Sequence, residues 1–121
     1  MTIAITSQGK DMESLIDPRF GRCRYFIFIN EDSGDFEAVE NSNLPASGAG
    51  VQTAQFLADK GVKAVITGNV GPNAVRGLQA AGIKIYITDS GKKVSEAFEM
   101  YKQGELKTIS SATVNSHFGL R

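Results

Sequence analysis

The stretch Thr67-Gly68-Asn69-Val70-Gly71-Pro72-Asn73-Ala74 constrains this chain more than any other. The apolar run Val62 to Ile66 enters it, and a run with apolar residues at Val75, Leu78 and Ala81 leaves it. That order reads as a strand, a glycine-rich turn and the first turn of a helix. Pro72 suits the first helical position, where its missing N–H would have had no partner. Gly71 is then the N-cap, and Gly68 and Gly71 let the backbone turn tightly. The N–H groups of Asn73 and Ala74 point out of the helix start, where unpaired donors and the helix dipole together attract an anion. The same residues would also make an ordinary strand-to-helix turn.

The rest of the chain extends this pattern. Thr2 to Thr6 is a short apolar strand, and Ser7 to Pro18 reads as a loop, since Pro18 disfavours helix at Asp17. Tyr25 to Ile29, rich in aromatic and β-branched residues, is a strand. Phe36 to Glu40 alternates apolar and polar across the turn at Glu31 to Asp35, so the two form a hairpin. After a polar loop from Asn41 to Gly48, the residues Val51, Ala54, Leu57 and Ala58 share one helical face. Gly61 and Gly82 close the first two helices, each with an apolar residue just beyond, as Schellman caps prefer. Lys84 to Thr88 is a strand, and Asp89-Ser90-Gly91 can start a last helix with Val94, Ala97, Phe98 and Tyr101 on its buried face. Gly104 stops it, leaving Glu105 to Arg121 as a polar tail without a period.

Consecutive strand–helix–strand units force parallel strands, and the hairpin adds antiparallel ones. The expectation is an α/β chain of three layers, with a mixed five-stranded sheet and helices on both faces. Residues 1–104 form its one domain and 105–121 its tail. Ligands in such folds meet the carboxyl ends of the strands. Three loops lie at such ends: Ser7 to Pro18, Gly68 to Pro72 and Thr88 to Gly91.

Composition narrows the function. The chain of 121 residues carries 13 basic and 13 acidic side chains, so the formal net charge is zero and binding to nucleic acid through phosphate neutralisation is disfavoured. The lone Cys23 excludes an internal disulfide and suits a reducing compartment. Met1 to Ile5 reads as a strand under way, not a signal peptide, and no apolar run approaches the ~20 residues that span a bilayer. A cytoplasmic protein is expected.

Chemistry concentrates at Arg19-Phe20-Gly21-Arg22-Cys23-Arg24, where three arginines surround the only thiol. Nearby positive charge favours the thiolate, which is the nucleophile and the metal ligand, and the same arginines would draw an anion. Alternatively Cys23 packs as a small hydrophobe at the start of its strand. His117 lies far along the chain and reads as solvated. One thiolate and one imidazole do not make a zinc site, nor can one cysteine hold an ordinary iron–sulfur cluster. The first strand lacks the acids of a two-metal nuclease, and neither a Walker-A run nor the Gly-x-Gly-x-x-Gly fingerprint occurs. No enzyme signature stands out.

Three features carry a family resemblance. They are Arg19-Phe20-Gly21-Arg22-Cys23 before a strand, Ser47-Gly48-Ala49-Gly50 before a helix, and Val65 to Ala74 followed by Leu78-Gln79-Ala80-Ala81-Gly82-Ile83-Lys84. From about Thr2 to Gly104 the chain resembles the small single-domain members of the dinitrogenase iron–molybdenum cofactor biosynthesis family. The resemblance implies a ribonuclease H-like fold. It also implies non-catalytic binding or carriage of a metal–sulfur cluster, iron–sulfur or molybdenum-containing, with cofactor-assembly proteins as partners. A metal–sulfide cluster is a polyanion. Arg19 and Arg22 would supply charge, the backbone at Gly48, Gly50, Gly68, Asn69, Gly71 and Asn73 would supply donors, and Cys23 would add one metal bond. Two other readings stay open at this stage: a metal-free protein-interaction module, and a binder of phosphate-bearing metabolites at the helix start.

Overall fold

The structure, a computed structural model, describes residues 1–41 and 49–110, and for 49–51 the backbone alone. Among the described residues, six strands form one mixed sheet: β1 (Thr2–Ser7), β2 (Tyr25–Asn30), β3 (Phe36–Glu40), β4 (Val62–Thr67), β5 (Lys84–Ile87) and β6 (Lys107–Ile109). The helices are α1 (Ala49–Asp59), α2 (Pro72–Ala80) and α3 (Val94–Lys102). The strand order is β3-β2-β1-β4-β5-β6. β1 runs parallel to β4 and β4 to β5, while the β2–β3 hairpin joins β1 antiparallel, as the connections require.

The sheet separates two apolar layers. Ala54 and Leu57 of α1 and Ala74, Val75 and Leu78 of α2 pack with Ala4, Phe26, Phe28, Val65 and Ile85 on one face. Val94, Ala97 and Phe98 of α3 pack with Ile3, Ile5, Ile27, Ile29 and Ile66 on the other. Central strands covered on both faces have to be continuously apolar, which is why β1 and β4 lack alternation. Gly61, Gly82 and Gly104 adopt φ of 73°, 75° and 75° just past the three helices. At α2 the cap is a full Schellman motif, with Ile83 N–H donating to Leu78 O (2.9 Å) and Gly82 N–H to Gln79 O (3.0 Å).

Two expectations need correction. The sheet has six strands, not five, because residues 107–109 pair antiparallel with β5. Three residues with two exposed polar side chains are too short to show a period, and only the open edge of β5 makes them a strand. The last helix begins at Val94, not at Asp89 to Gly91. There the chain is engaged elsewhere: Ile16 N–H donates to Lys92 O (2.9 Å), and Glu96 Oε1 accepts the N–H of Lys93 (2.8 Å), which sets the N-terminus.

Candidate functional site

Of the three loops expected at the carboxyl ends of the strands, Ser7 to Pro18 meets Gly68 to Pro72 through the backbone, and the third is tied to the end of β4 by Thr88 N–H donating to Thr67 O (3.0 Å). The first half of the β1–β2 connection lies against the start of α3: Val94 N–H donates to Ser14 O (2.8 Å) and Ser95 N–H to Met12 O (2.8 Å). Its second half turns the other way, toward α2. Asn69 N–H donates to Pro18 O (2.7 Å) and Phe20 N–H to Asn69 O (3.2 Å), a parallel bridge between Arg19 and Asn69. Beneath it Asp17 N–H donates to Thr6 O (3.0 Å), and the Thr6 hydroxyl donates to Asp17 O (2.6 Å). Having one proton, Thr6 accepts in its 2.9 Å contact with Thr67 Oγ1. The arginine loop and the glycine turn are therefore one unit seated on the ends of β1 and β4.

Asp17, to which the sequence assigns no role, organises that unit. Its side chain is 1% exposed. Oδ1 accepts the backbone N–H and the Nε–H of Arg19 (both 3.1 Å), and Oδ2 accepts Arg19 Nη2–H and the backbone N–H of Arg24 (both 3.2 Å). Charge-assisted, bidentate pairing of this kind offsets the desolvation of a buried carboxylate. It also holds the Arg19 guanidinium above its ordinary pKa, the hydrogen bond to Asp17 being the main cause. The sequence signal was slight: an acid directly before a proline in a loop.

Arg19, Arg22 and Cys23 thus part company. Arg19 is paired with Asp17. Arg22 is exposed and makes no ion pair among the described residues. Cys23 is fully buried and belongs to the cluster around Phe20 and Phe26. The expectation of an arginine-activated thiolate is corrected here. Burial pushes the Cys23 thiol far above its ordinary pKa, the nearby Asp17 charge pushes it further, and Arg19 opposes them only weakly. Asn41 Nδ2 donates to Cys23 O (2.9 Å) and Gly21 O (3.3 Å), and lies 3.8 Å from Cys23 Sγ. Among the described residues, no group of three or more His, Cys, Asp or Glu side chains is placed to hold a metal ion.

In the glycine turn the two glycines differ. Gly68 is buried and needed for close approach: a Cβ there would stand 2.7 Å from Pro18 Cα. Gly71, the N-cap of α2, has φ −87° and ψ 173°, which any residue adopts, and a Cβ there would meet nothing within 4 Å among the described residues. Neither glycine uses a left-handed conformation, so tight turning is not what they supply. What Gly71 leaves is a half-exposed helix start with no side-chain cap among the described residues. The side chain of Asn69 is exposed, and Asn73 Oδ1 accepts from Arg76 Nη2 on the outer face of α2. Gly50 lies in the first turn of α1, while Gly48 and His117 fall outside the described residues. By topology the start of α1 is at the same end of the sheet. There Thr53 Oγ1, within the helix, is buried without a hydrogen-bond partner among the described residues. A cleft of about 390 Å³ beside α2, lined by Gln79, Ile83, Ile85 and Ile109 among others, contains none of these groups.

Comparison with known proteins bears on this arrangement. A family model described as dinitrogenase iron-molybdenum cofactor matches residues 1–104. The chain is similar to the apo form of the orange protein from Desulfovibrio gigas, with 36% identity over 93% of this chain and 95% of that one and a TM-score of 0.89. A putative NifB protein from Thermotoga shows 41% identity over 93% and 96% of the two chains, with a TM-score of 0.81. An uncharacterised protein of Methanocaldococcus jannaschii is 29% identical over 96 residues, 76% of this chain and 80% of that protein.

Proposed function

The chain belongs to the dinitrogenase iron-molybdenum cofactor family, and from that premise we propose that it binds and carries an anionic metal–sulfur species during metallocofactor assembly in the cytoplasm, without catalysing a reaction. The cargo is iron–molybdenum cofactor-like or iron–sulfur, and the proteins that load and unload it are its partners.

The observation that carries this reading is the start of α2 at Gly71, which no side chain among the described residues caps, joined to the exposed arginine loop by the Arg19–Asn69 bridge. A helix N-terminus without a cap offers N–H donors and a positive dipole end to an anion. Arg22 adds a full charge from the neighbouring loop, and arginine suits extended anions through its planar set of donors. Donors of this kind hold sulfide by charge and hydrogen bonding, so a cluster can leave without a covalent bond being broken. The buried Cys23 fits packing and not ligation.

Anaerobically purified protein, before and after incubation with iron, sulfide and molybdate, tests this. Visible charge-transfer absorption with stoichiometric metal and sulfide, lost in Arg22→Ala, is the expected result. Colourless, metal-free protein in every preparation overturns carriage by this chain. Stabilisation by inorganic phosphate alone would assign the helix start to phosphate-bearing metabolites instead.

A further inference from the structure

Arg19, Arg22 and Arg24 invite the view that three cations add up at one site. The geometry divides them. Asp17 Oδ1 and Oδ2 take two hydrogen bonds from the Arg19 guanidinium, and the other two donors on this carboxylate are main-chain N–H groups, at Arg19 and at Arg24. The loop is thereby fixed at both ends of the segment 19–24. Between those points Asn41 Nδ2 holds the carbonyls of Gly21 and Cys23 from the inner side, and Arg22 stands exposed.

Resting on the anion-site reading above, we propose that Asp17 is the positioning residue of the site: it takes up the charge of Arg19 and pins the backbone at Arg19 and Arg24, so that the exposed Arg22 and Arg24 side chains, and not Arg19, are the cations left to an anionic ligand, with Arg22 at the middle of the pinned segment. Asp17 does not touch the ligand. A carboxylate beside a polyanion site would repel the ligand unless its charge were answered, and Arg19 answers it within the loop. The consequence runs against simple charge counting. Replacing Asp17 by Asn removes a negative charge and releases a cation, which on charge alone would tighten anion binding. On this geometry binding weakens, because an amide keeps one acceptor oxygen and turns an NH₂ toward donors that need acceptors.

The test is a titration of the full chain with tetrathiomolybdate, a metal–sulfide dianion, followed by its visible absorption at several salt concentrations. Each variant is measured at a temperature where its circular dichroism is native. Arg22→Ala is expected to weaken binding about tenfold or more and to flatten the salt dependence. Arg19→Ala should weaken binding less than Arg22→Ala does, since it leaves the Asp17 carboxylate unanswered but takes no donor away from the ligand. Asp17→Asn should bind more weakly than the wild type. A loss of affinity in Arg19→Ala equal to or greater than that in Arg22→Ala, or tighter binding by Asp17→Asn, overturns the inference while leaving the anion site standing. If Asp17→Asn does not fold, the contrast between the two arginine variants decides alone. Wild-type protein that takes up neither tetrathiomolybdate nor a reconstituted cluster rejects the site itself, and the inference with it.

Discussion

The backbone of Pro18 leaves no room for a side chain at Gly68: a Cβ there would stand 2.7 Å from Pro18 Cα and 3.1 Å from Pro18 O. The contact joins a loop after β1 to the turn after β4, and the hydrogen bond from Asn69 N–H to Pro18 O lies beside it. Gly68→Ala has to push two backbones apart. We expect it to destabilise the protein by about 1–3 kcal/mol, as overpacking does, and to weaken anion binding by separating the arginine loop from α2. Urea unfolding checks the first effect, and wild-type stability in Gly68→Ala would show that the two loops are not rigidly joined.

Gly71 offers the opposite experiment. Its conformation suits any residue and no described residue fills its side-chain position, so Gly71→Asp can cap α2 without strain. An aspartate N-cap with its charge at the positive end of the helix is worth about 0.3–1 kcal/mol over glycine. The expected outcome is a protein slightly more stable and yet unable to take up tetrathiomolybdate, because the carboxylate occupies the donors meant for the ligand. Retained binding in a stabilised Gly71→Asp protein would remove the start of α2 from the site.

Asp17 and Arg19 are two halves of one ion pair, but their loss has unequal effects. The Asp17 side chain is 1% exposed and that of Arg19 is 60% exposed. Asp17→Asn leaves inward-facing N–H groups short of an acceptor, and we expect a loss of about 1–3 kcal/mol. Arg19→Ala takes away part of what offsets the burial of the carboxylate but leaves its two main-chain donors and admits water where the exposed guanidinium stood, and a smaller loss of about 1 kcal/mol is expected. Denaturant midpoints for the two variants give the comparison directly, and equal losses would contradict the asymmetry.

Cys23 sets the alkaline limb of the stability profile. Below about pH 8.5 the thiol is protonated in both folded and unfolded chains, and its contribution is constant. Above that pH the unfolded chain releases the proton while the buried thiol, its pKa raised mainly by desolvation, keeps it. The unfolded state then binds fewer protons, so stability falls as pH rises, by about 1.4 kcal/mol per pH unit for one group. Tyr101, whose phenol is also raised by burial, adds the same sign from about pH 10. Urea unfolding between about pH 8.5 and 10 should show a steeper decline in the wild type than in Cys23→Ala. Parallel profiles would place the thiol in contact with water.

Much of this architecture is legible in the residues themselves. The five longer strands and the helix of Pro72 follow from apolar runs, helical spacing and glycine caps, all of which act within a few residues. Val75 and Leu78, and Val94, Ala97 and Phe98, are buried as their spacing implies, because an isolated apolar stripe has one low-energy use. The uncapped start of α2 was visible for the same reason. β6 was not, since a three-residue polar segment has no conformation of its own until an edge offers it partners.

The site divides in the same way. Its positive charge and its glycines are local facts of sequence. The roles of Asp17 and Cys23 are not. An aspartate in a loop becomes an anchor only where the main chain brings N–H donors from both ends of the loop around it. A cysteine among arginines becomes an inert core thiol only where the loop turns its sulfur inward and its cations outward. Pro18 meets Gly68 because β1 and β4 are neighbours in the sheet, and nothing within either segment specifies that. By itself the sequence determined which residues form strands and helices and that an anion-seeking turn and a cationic loop exist. Only the tertiary structure decided that the two share one end of the sheet, that Arg19 is matched by Asp17, and that Cys23 is kept from solvent. The physical reason is range: periodicity and capping act over a few residues, whereas burial and charge pairing depend on what the strand order brings together.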